Sequence, residues 1–159
     1  VDHKRLFPVA GEVPIEEIAV PFGSARICRP GTDLTITTHS FMVRTALEAA
    51  KLLEKDGVSA EVIDLRSLAP LDMKTIVDSV GRTGRLLTLE EGQITTGVGA
   101  EIVTRVIEHL GPIQFTRVGA LPAPISSNRI LEAACLPDAN RVAAAARLLQ
   151  SPKKLVSSY

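Results

Sequence analysis

The feature that most constrains this chain is a rhythm. From Asp33 to Leu149, short runs rich in β-branched residues alternate with longer segments whose apolar residues recur at helical spacing. The turns between them are short, so each strand–helix–strand passage is a crossover and the strands it joins run parallel. The pattern predicts an α/β fold, a three-layer α/β/α sandwich with about five strands. A chain of 159 residues, 45% of them hydrophobic, is one domain's worth and carries enough apolar side chain for its core.

Leu34–Thr38 reads as the first regular strand. Ser40 is placed to N-cap a helix running to about Asp56, with Met42, Ala46, Ala49, Ala50 and Leu53 on one face and Gly57 as its stop. Glu61–Leu65 is the next strand. Pro70 introduces a second helix, capped by Asp72 and ended by Gly81 and Gly84, with Ile76, Val77 and Val80 facing inward. Strand Arg85–Glu90 leads through a loop, Glu91 to Thr96, into a helix from about Gly97 to Leu110. Strand Ile113–Val118 and two short helices, Ser127–Cys135 and Asp138–Leu149, complete the series. Ahead of it, Pro8, Gly11, Pro14, Pro21, Gly23, Pro30 and Gly31 mark the first thirty residues as a connector holding one short strand, Ser24–Arg29. Val13, Ile15, Ile18, Val20 and Phe22 predict that this connector is docked. Residues 151–159 read as a polar, flexible tail.

Composition removes several function classes. Lys plus Arg equals Asp plus Glu, 18 of each, so no polybasic surface is available for nucleic acid or an anionic membrane. Aromatics are 3%, which argues against a base-stacking site. Cys28 and Cys135 form no CxxC or His/Cys cluster, so no structural zinc site is expected; two separate thiols are the expectation, a disulfide the alternative. No apolar run reaches the roughly 20 residues of a membrane-spanning helix. The start, Val1-Asp2-His3-Lys4-Arg5, lacks the pattern of a secretory leader. Its lack of Met predicts a fragment of a longer chain.

Gly97-Val98-Gly99-Ala100-Glu101-Ile102 begins like a dinucleotide fingerprint, but Ile102 stands where a third glycine is needed. The plainer reading is a structural turn, Gly97 and Gly99 allowing close helix–sheet packing. A third reading has the free N–H groups of this helix start facing an anion or a partner. P-loop and GxSxG patterns are absent. His39 and Ser40 end a strand, where open α/β sheets place their sites; a surface or interdomain hydrogen-bonding role is the plainer alternative. Glu90 and Glu91 are neighbours on an extended chain, point to opposite faces, and make a weak acid–base pair. Asp64 is expected to cap or pair, and His109 to complement a helix end. His3 lies in the connector, and Arg66 and Arg85 have no placement from sequence. The chain carries no complete catalytic set and no metal-ligand cluster.

The segments themselves carry a resemblance. Val20-Pro21-Phe22-Gly23-Ser24-Ala25, Asp33-Leu34-Thr35-Ile36, Ala46-Leu47-Glu48-Ala49-Ala50, Glu61 through Leu68, Pro70-Leu71-Asp72, Ser79-Val80, Thr83-Gly84-Arg85 and Gly97 through Ile102 occur in order. Together they resemble the C-terminal domain of transketolase-like enzymes. More narrowly, they are similar to the beta subunit of the decarboxylating component of 2-oxo acid dehydrogenase complexes. His39-Ser40 and the Gly-Val-Gly-Ala-Glu-Ile form are similar to the pyruvate branch. Gly119-Ala120-Leu121-Pro122-Ala123-Pro124 departs from the family's Asp-containing, aromatic-ending segment, which keeps the branched-chain and acetoin branches open as alternatives.

The resemblance implies a mostly parallel sheet with one antiparallel edge strand. Residues 1–23 would be the linker from a pyrimidine-binding domain outside this chain, 24–150 the domain itself and 151–159 the tail. It implies thiamine diphosphate and Mg²⁺ in the complete enzyme, with no catalytic, cofactor or metal residue on this chain. It implies assembly with an alpha subunit, a second beta subunit and a lipoyl acyltransferase core, in bacterial cytoplasm or the mitochondrial matrix. His39, Ser40, Glu91 and Gln93 are the candidate contacts at the substrate or lipoyl entrance or between domains. A sugar-phosphate enzyme of the same family ranks lower, because Glu90-Glu91-Gly92-Gln93 offers the wrong charge for phosphate. A stand-alone interaction module is the remaining alternative.

Overall fold

A computed structural model describes residues 3–12, 15–16 and 19–150. The expected tail 151–159, and connector residues 1, 2, 13, 14, 17 and 18, lie outside the described residues.

A short 3-10 turn, Lys4–Leu6, precedes strands β1 (Arg26–Arg29) and β2 (Leu34–Thr38). Helix α1 (Met42–Glu54), strand β3 (Ala60–Asp64), helix α2 (Met73–Thr83), strand β4 (Arg85–Gln93), helix α3 (Val98–Leu110) and strand β5 (Gln114–Ala120) follow in strict alternation. Helices α4 (Arg129–Cys135) and α5 (Ala139–Gln150) close the chain. The sheet order is β1-β3-β2-β4-β5. β3, β2, β4 and β5 are parallel, and β1 pairs antiparallel with β3 at one edge. This is the mostly parallel five-stranded sandwich that the sequence predicts.

The two core clusters define the layers. On one face Leu34, Ile36, Val62, Leu87 and Leu89 pack against Met42, Ala46, Ala49 and Leu53 of α1 and Val142, Ala143 and Ala146 of α5. On the other, Leu86 meets Ile76 and Val80 of α2 and Ile102, Val103 and Val106 of α3. Leu86 and Leu87 are neighbours in sequence and fall in different clusters, as the two-residue period of a strand requires.

β2 is buried along its whole length. Its threonines therefore need partners. Thr35 Oγ1 lies 2.7 Å from both Ser79 Oγ and Thr83 Oγ1 on α2. Glu61 on β3, almost wholly buried, accepts from the Ser79 hydroxyl and from the Arg82 guanidinium at 2.8 Å. This network ties α2 to the amino-terminal ends of β2 and β3. At Gly31 an added Cβ would run into the Ala60–Glu61 backbone, so the turn before β2 needs a residue without one.

Most element ends fall within one or two residues of expectation, and three features differ more substantially. Ser40 does not cap α1; it takes φ 55° and leaves the cap position to Phe41, which caps with no side-chain hydrogen bond. β4 runs on to Gln93, because pairing with β5 resumes at Gln93–Ala120 after an irregularity; Glu91 and Gln93 therefore sit in strand rather than loop. α2 passes through Gly81 and ends at Gly84, whose φ of 68° suits glycine. Cys28 and Cys135 are free thiols.

Asp72 caps α2 as expected, accepting from the Thr75 N–H at 3.1 Å and also from the Ala25 N–H at 3.0 Å. It thus joins α2 to the approach to β1. Desolvation pushes its carboxyl pKa up, but the backbone donors Thr75 and Ala25, the Thr75 hydroxyl and nearby Lys74 outweigh this, and the net shift is downward. A carboxyl lowered on folding stabilises above its unfolded pKa, and the contribution is lost as pH falls through the folded value. Asp72→Ala should cost about 1 kcal/mol at neutral pH and Asp72→Asn less, and both variants should lose less stability than the parent on acidification below about pH 4. Urea denaturation at pH 7 and in acid checks both.

Candidate functional site

In an open parallel sheet the chemistry belongs at the carboxyl ends of the strands, above all where the crossovers change direction. Here β2 leads to β3 on one side and is flanked by β4 on the other, so that crevice lies between the ends of β2 and β4. Among the described residues three non-glycine positions have positive φ: Ser40 after β2 (55°), Arg66 after β3 (54°) and Thr96 after β4 (64°). All three follow the carboxyl ends of the central strands. Left-handed backbone at such residues costs energy, and it concentrates at functional edges.

The glycine turn resolves first. Glu90, the last inward residue of β4, is 5% exposed and accepts from the Gly99 N–H at 3.2 Å. A Cβ on Gly97 would collide with the Glu90 carboxylate, and one on Gly99 with Thr88 Oγ1. The Gly99 N–H of this helix start thus faces a carboxylate, and the carboxylate is the chain's own side chain. Diphosphate does not fit there, because the Glu90 carboxylate fills the space and repels it. Among the described residues no three His, Cys, Asp or Glu side chains gather in a metal-holding group.

Glu91 points the other way, as expected of a strand neighbour. Its Oε2 lies 2.6 Å from His3 Nε2, and the His3 ring stacks on Phe41 with centroids 5.5 Å apart. Arg5 lies over the same Phe41 ring, 4.3 Å from its centroid. Phe41 follows β2 and Glu91 lies on β4. The amino-terminal segment therefore bridges the crevice at the change of direction. His3, unplaced in function from sequence, is its central piece; a signal that could have found it is a lone histidine and an arginine two residues apart in an apolar connector.

His39 and Ser40 lie on the other side of β2. With Arg66, Ser67, Phe22 and Leu68 they line an open cleft of about 520 Å³ between the ends of β2 and β3. His39 Nδ1 and Ser40 Oγ are buried and have no hydrogen-bond partner. Asp64 also lines the cleft, and its Oδ1 accepts from the Arg66 N–H at 3.0 Å, the capping role expected of it. The structure thus brings His39 and Ser40 together but not with Glu91, which is engaged by His3, nor with Gln93, whose amide donates to the Ala123 carbonyl at 3.4 Å. Arg66 completes the cleft, and sequence alone did not place it. His109 Nδ1 lies 2.7 Å from the Arg105 carbonyl, within the last turns of α3.

A mostly parallel sandwich with one antiparallel edge strand, whose glycine turn packs against its own Glu90, defines an α/β domain of the open-sheet class. The family model for the C-terminal domain of transketolase matches residues 23–142, and the chain belongs to that family. Among its relatives is the acetoin:2,6-dichlorophenolindophenol oxidoreductase subunit beta of Cupriavidus necator, 42% identical over 92% of this chain and 44% of that protein. The pyruvate dehydrogenase E1 component subunit beta of Pisum sativum mitochondria is 47% identical over 89% of this chain and 40% of that protein. A solved split-gene transketolase, an inactive beta4 tetramer, superposes with a TM-score of 0.76 at 33% identity, covering 87% of this chain and 46% of that one. The chain spans less than half the length of these relatives. They include mitochondrial and bacterial proteins, and no described helix of this chain is long and apolar enough to cross a membrane.

Gly99→Ala should destabilise the domain by about 1–3 kcal/mol through overpacking against Thr88. Thr88→Ala should recover part of that loss in a double-mutant cycle read by thermal or urea melts, because the Thr88 hydroxyl has no partner to lose.

Proposed function

We propose that this chain is the C-terminal assembly and docking domain of a pyruvate dehydrogenase (acetyl-transferring) E1 beta subunit. The complete enzyme would decarboxylate pyruvate with thiamine diphosphate and Mg²⁺ and pass the acyl group to a lipoyl group, and this chain alone would be inactive. The observation that carries the reading is the closed switch crevice. The fold's customary ligand position is taken by His3 and Phe41, and its helix-start anion site by Glu90. Both of its ordinary places for a cofactor serve the chain's own packing, which suits a domain that supports chemistry housed elsewhere.

On this reading residues 1–23 are the linker from a pyrimidine-binding domain, 24–150 the folded unit and 151–159 a tail. The partners are an alpha subunit, a second beta subunit and the lipoyl acyltransferase core, and the compartment is bacterial cytoplasm or the mitochondrial matrix. The edge carrying His39, Ser40, Glu91 and Gln93 would flank the substrate and lipoyl entrance or contact the neighbouring domain. An acetoin dehydrogenase beta subunit is the second reading, favoured by the Cupriavidus necator relative and the divergent 119–124 segment.

The test is a chimera. This chain replaces the corresponding part of the Bacillus subtilis pyruvate dehydrogenase E1 beta subunit, to which it is 45% identical over 107 residues, and the product is expressed with that enzyme's alpha subunit. Assembly and pyruvate-dependent reduction of a dye acceptor are expected; failure to assemble, with the chimera folded, refutes the reading. Assembly in the matching chimera of the Cupriavidus necator acetoin enzyme, with no assembly in the pyruvate one, selects the second. In the active chimera, His39→Ala with Gln93→Ala should slow lipoyl acylation about tenfold, the scale of one lost contact, and slow dye reduction less. An unchanged lipoyl rate refutes the placement of those residues.

A further inference from the structure

Of the three strained strand ends, the one after β4 is closed by the chain itself, and the cleft between the other two is open. The cleft between β2 and β3 combines four independent features. His39 Nδ1 and Ser40 Oγ are buried without partners, and a native fold leaves few such atoms unless something outside the chain meets them. Ser40 and Arg66 hold left-handed backbone from adjacent strands, at positions where glycine would be free of strain. The Arg66 side chain is exposed and enters no ion pair or side-chain hydrogen bond among the described residues. Phe22, 92% exposed, and Leu68, 44% exposed, supply apolar walls beside these polar groups. At about 520 Å³ the space is of ligand size.

We propose that this cleft binds a small monocarboxylate with a short apolar body. A guanidinium pairs with a planar carboxylate through two parallel hydrogen bonds, which fixes Arg66 as the partner of the anionic end. His39 Nδ1 and Ser40 Oγ are covered in the free chain; rotation of these side chains toward the cleft on binding brings the hydroxyl, and the imidazole in its Nδ1–H tautomer, to the remaining oxygen lone pairs. Phe22 and Leu68 cover the aliphatic end. Asp64 does not oppose the anion on balance. Its Oδ1 is engaged by the Arg66 N–H, and Arg26 stands opposite it in the β1–β3 pair, so the local count is two cations to one carboxylate. α1 adds to the attraction, since it begins just beyond Ser40 with no acidic residue in its first turn and no side-chain cap. This site shares His39 and Ser40 with the edge discussed above, yet the two readings can fail separately, because binding is read on this chain alone and assembly on the chimera.

The experiment titrates isobutyrate into the 159-residue chain and follows backbone amides by NMR, with isobutyramide and inorganic phosphate as controls. Saturable shifts at His39, Ser40, Arg66 and Ser67 are expected with isobutyrate, at a Kd of about 1 mM, the range open to so small a ligand. Neither control should reproduce them. Arg66→Gly, which glycine's freedom at this φ allows to fold with a melting temperature no lower than the parent's, should weaken binding at least about tenfold. Arg66→Lys, which keeps the charge and loses the fork, should weaken it as well. Absent or unsaturable shifts, equal shifts with isobutyramide or phosphate, or parent-like binding by both Arg66 variants would overturn the proposal.

Discussion

The structure depends on a strand with no free side. β2 has strands on both edges and a helical layer on each face, and each of its five residues is buried. The aliphatic side chains settle easily, each fully buried Leu or Ile contributing roughly 1.5–3 kcal/mol. The threonines do not, because an unpartnered buried hydroxyl costs on the order of 1–3 kcal/mol. Thr35 is met by Ser79 and Thr83, which fixes the register of α2 on the sheet, while Thr37 and Thr38 are left without partners. Satisfaction thus runs out toward the carboxyl end of β2, and the chain leaves that end through His39 and the left-handed Ser40.

The same edge shows how a fold built for ligands is turned to self-support. A helix start with two glycines offers N–H groups to an anion, and in this chain Glu90 reaches it from the end of β4. The carboxylate needs Gly97 and Gly99 to have no Cβ, and the helix start needs the carboxylate to complete its hydrogen bonding. Each residue is therefore tolerated because of the others. His3 does the equivalent for the crevice between β2 and β4, holding Glu91 on one side and Phe41 on the other.

Much of this was legible in the sequence, and the division follows the physics. The alternation of strand and helix is written in local periods, and Asp72, Gly84 and the β-branched runs act over a few residues. Glu90 and Glu91 facing opposite ways follows from the strand repeat alone. What stayed hidden depends on meetings across long separations. His3 and Glu91 are 88 positions apart, and no period links them. Arg66 gains its meaning from Ser40 on a neighbouring strand. Ser40 misled because a serine ahead of an apolar helical run is the ordinary cap signature, whereas tertiary packing forced its backbone left-handed. Glu91 and Gln93 were read as loop because Gly92 interrupts the strand pattern, and pairing to β5 is restored only at Gln93–Ala120.

The contrast between neighbouring strand ends carries the functional argument furthest. After β4 the edge is closed by side chains that satisfy one another. After β2 and β3 polar atoms are buried unsatisfied beside a strained backbone and an unengaged guanidinium. Were the strain at Ser40 and Arg66 only a consequence of folding, glycine would be the cheaper residue at both positions, as it is at Gly57, Gly84 and Gly111, all of which take positive φ. Glycine would supply neither a hydroxyl nor a guanidinium. Side chains that hold left-handed backbone are there for what they bind, and among the described residues neither the Ser40 hydroxyl nor the Arg66 guanidinium has a hydrogen-bond or ion-pair partner.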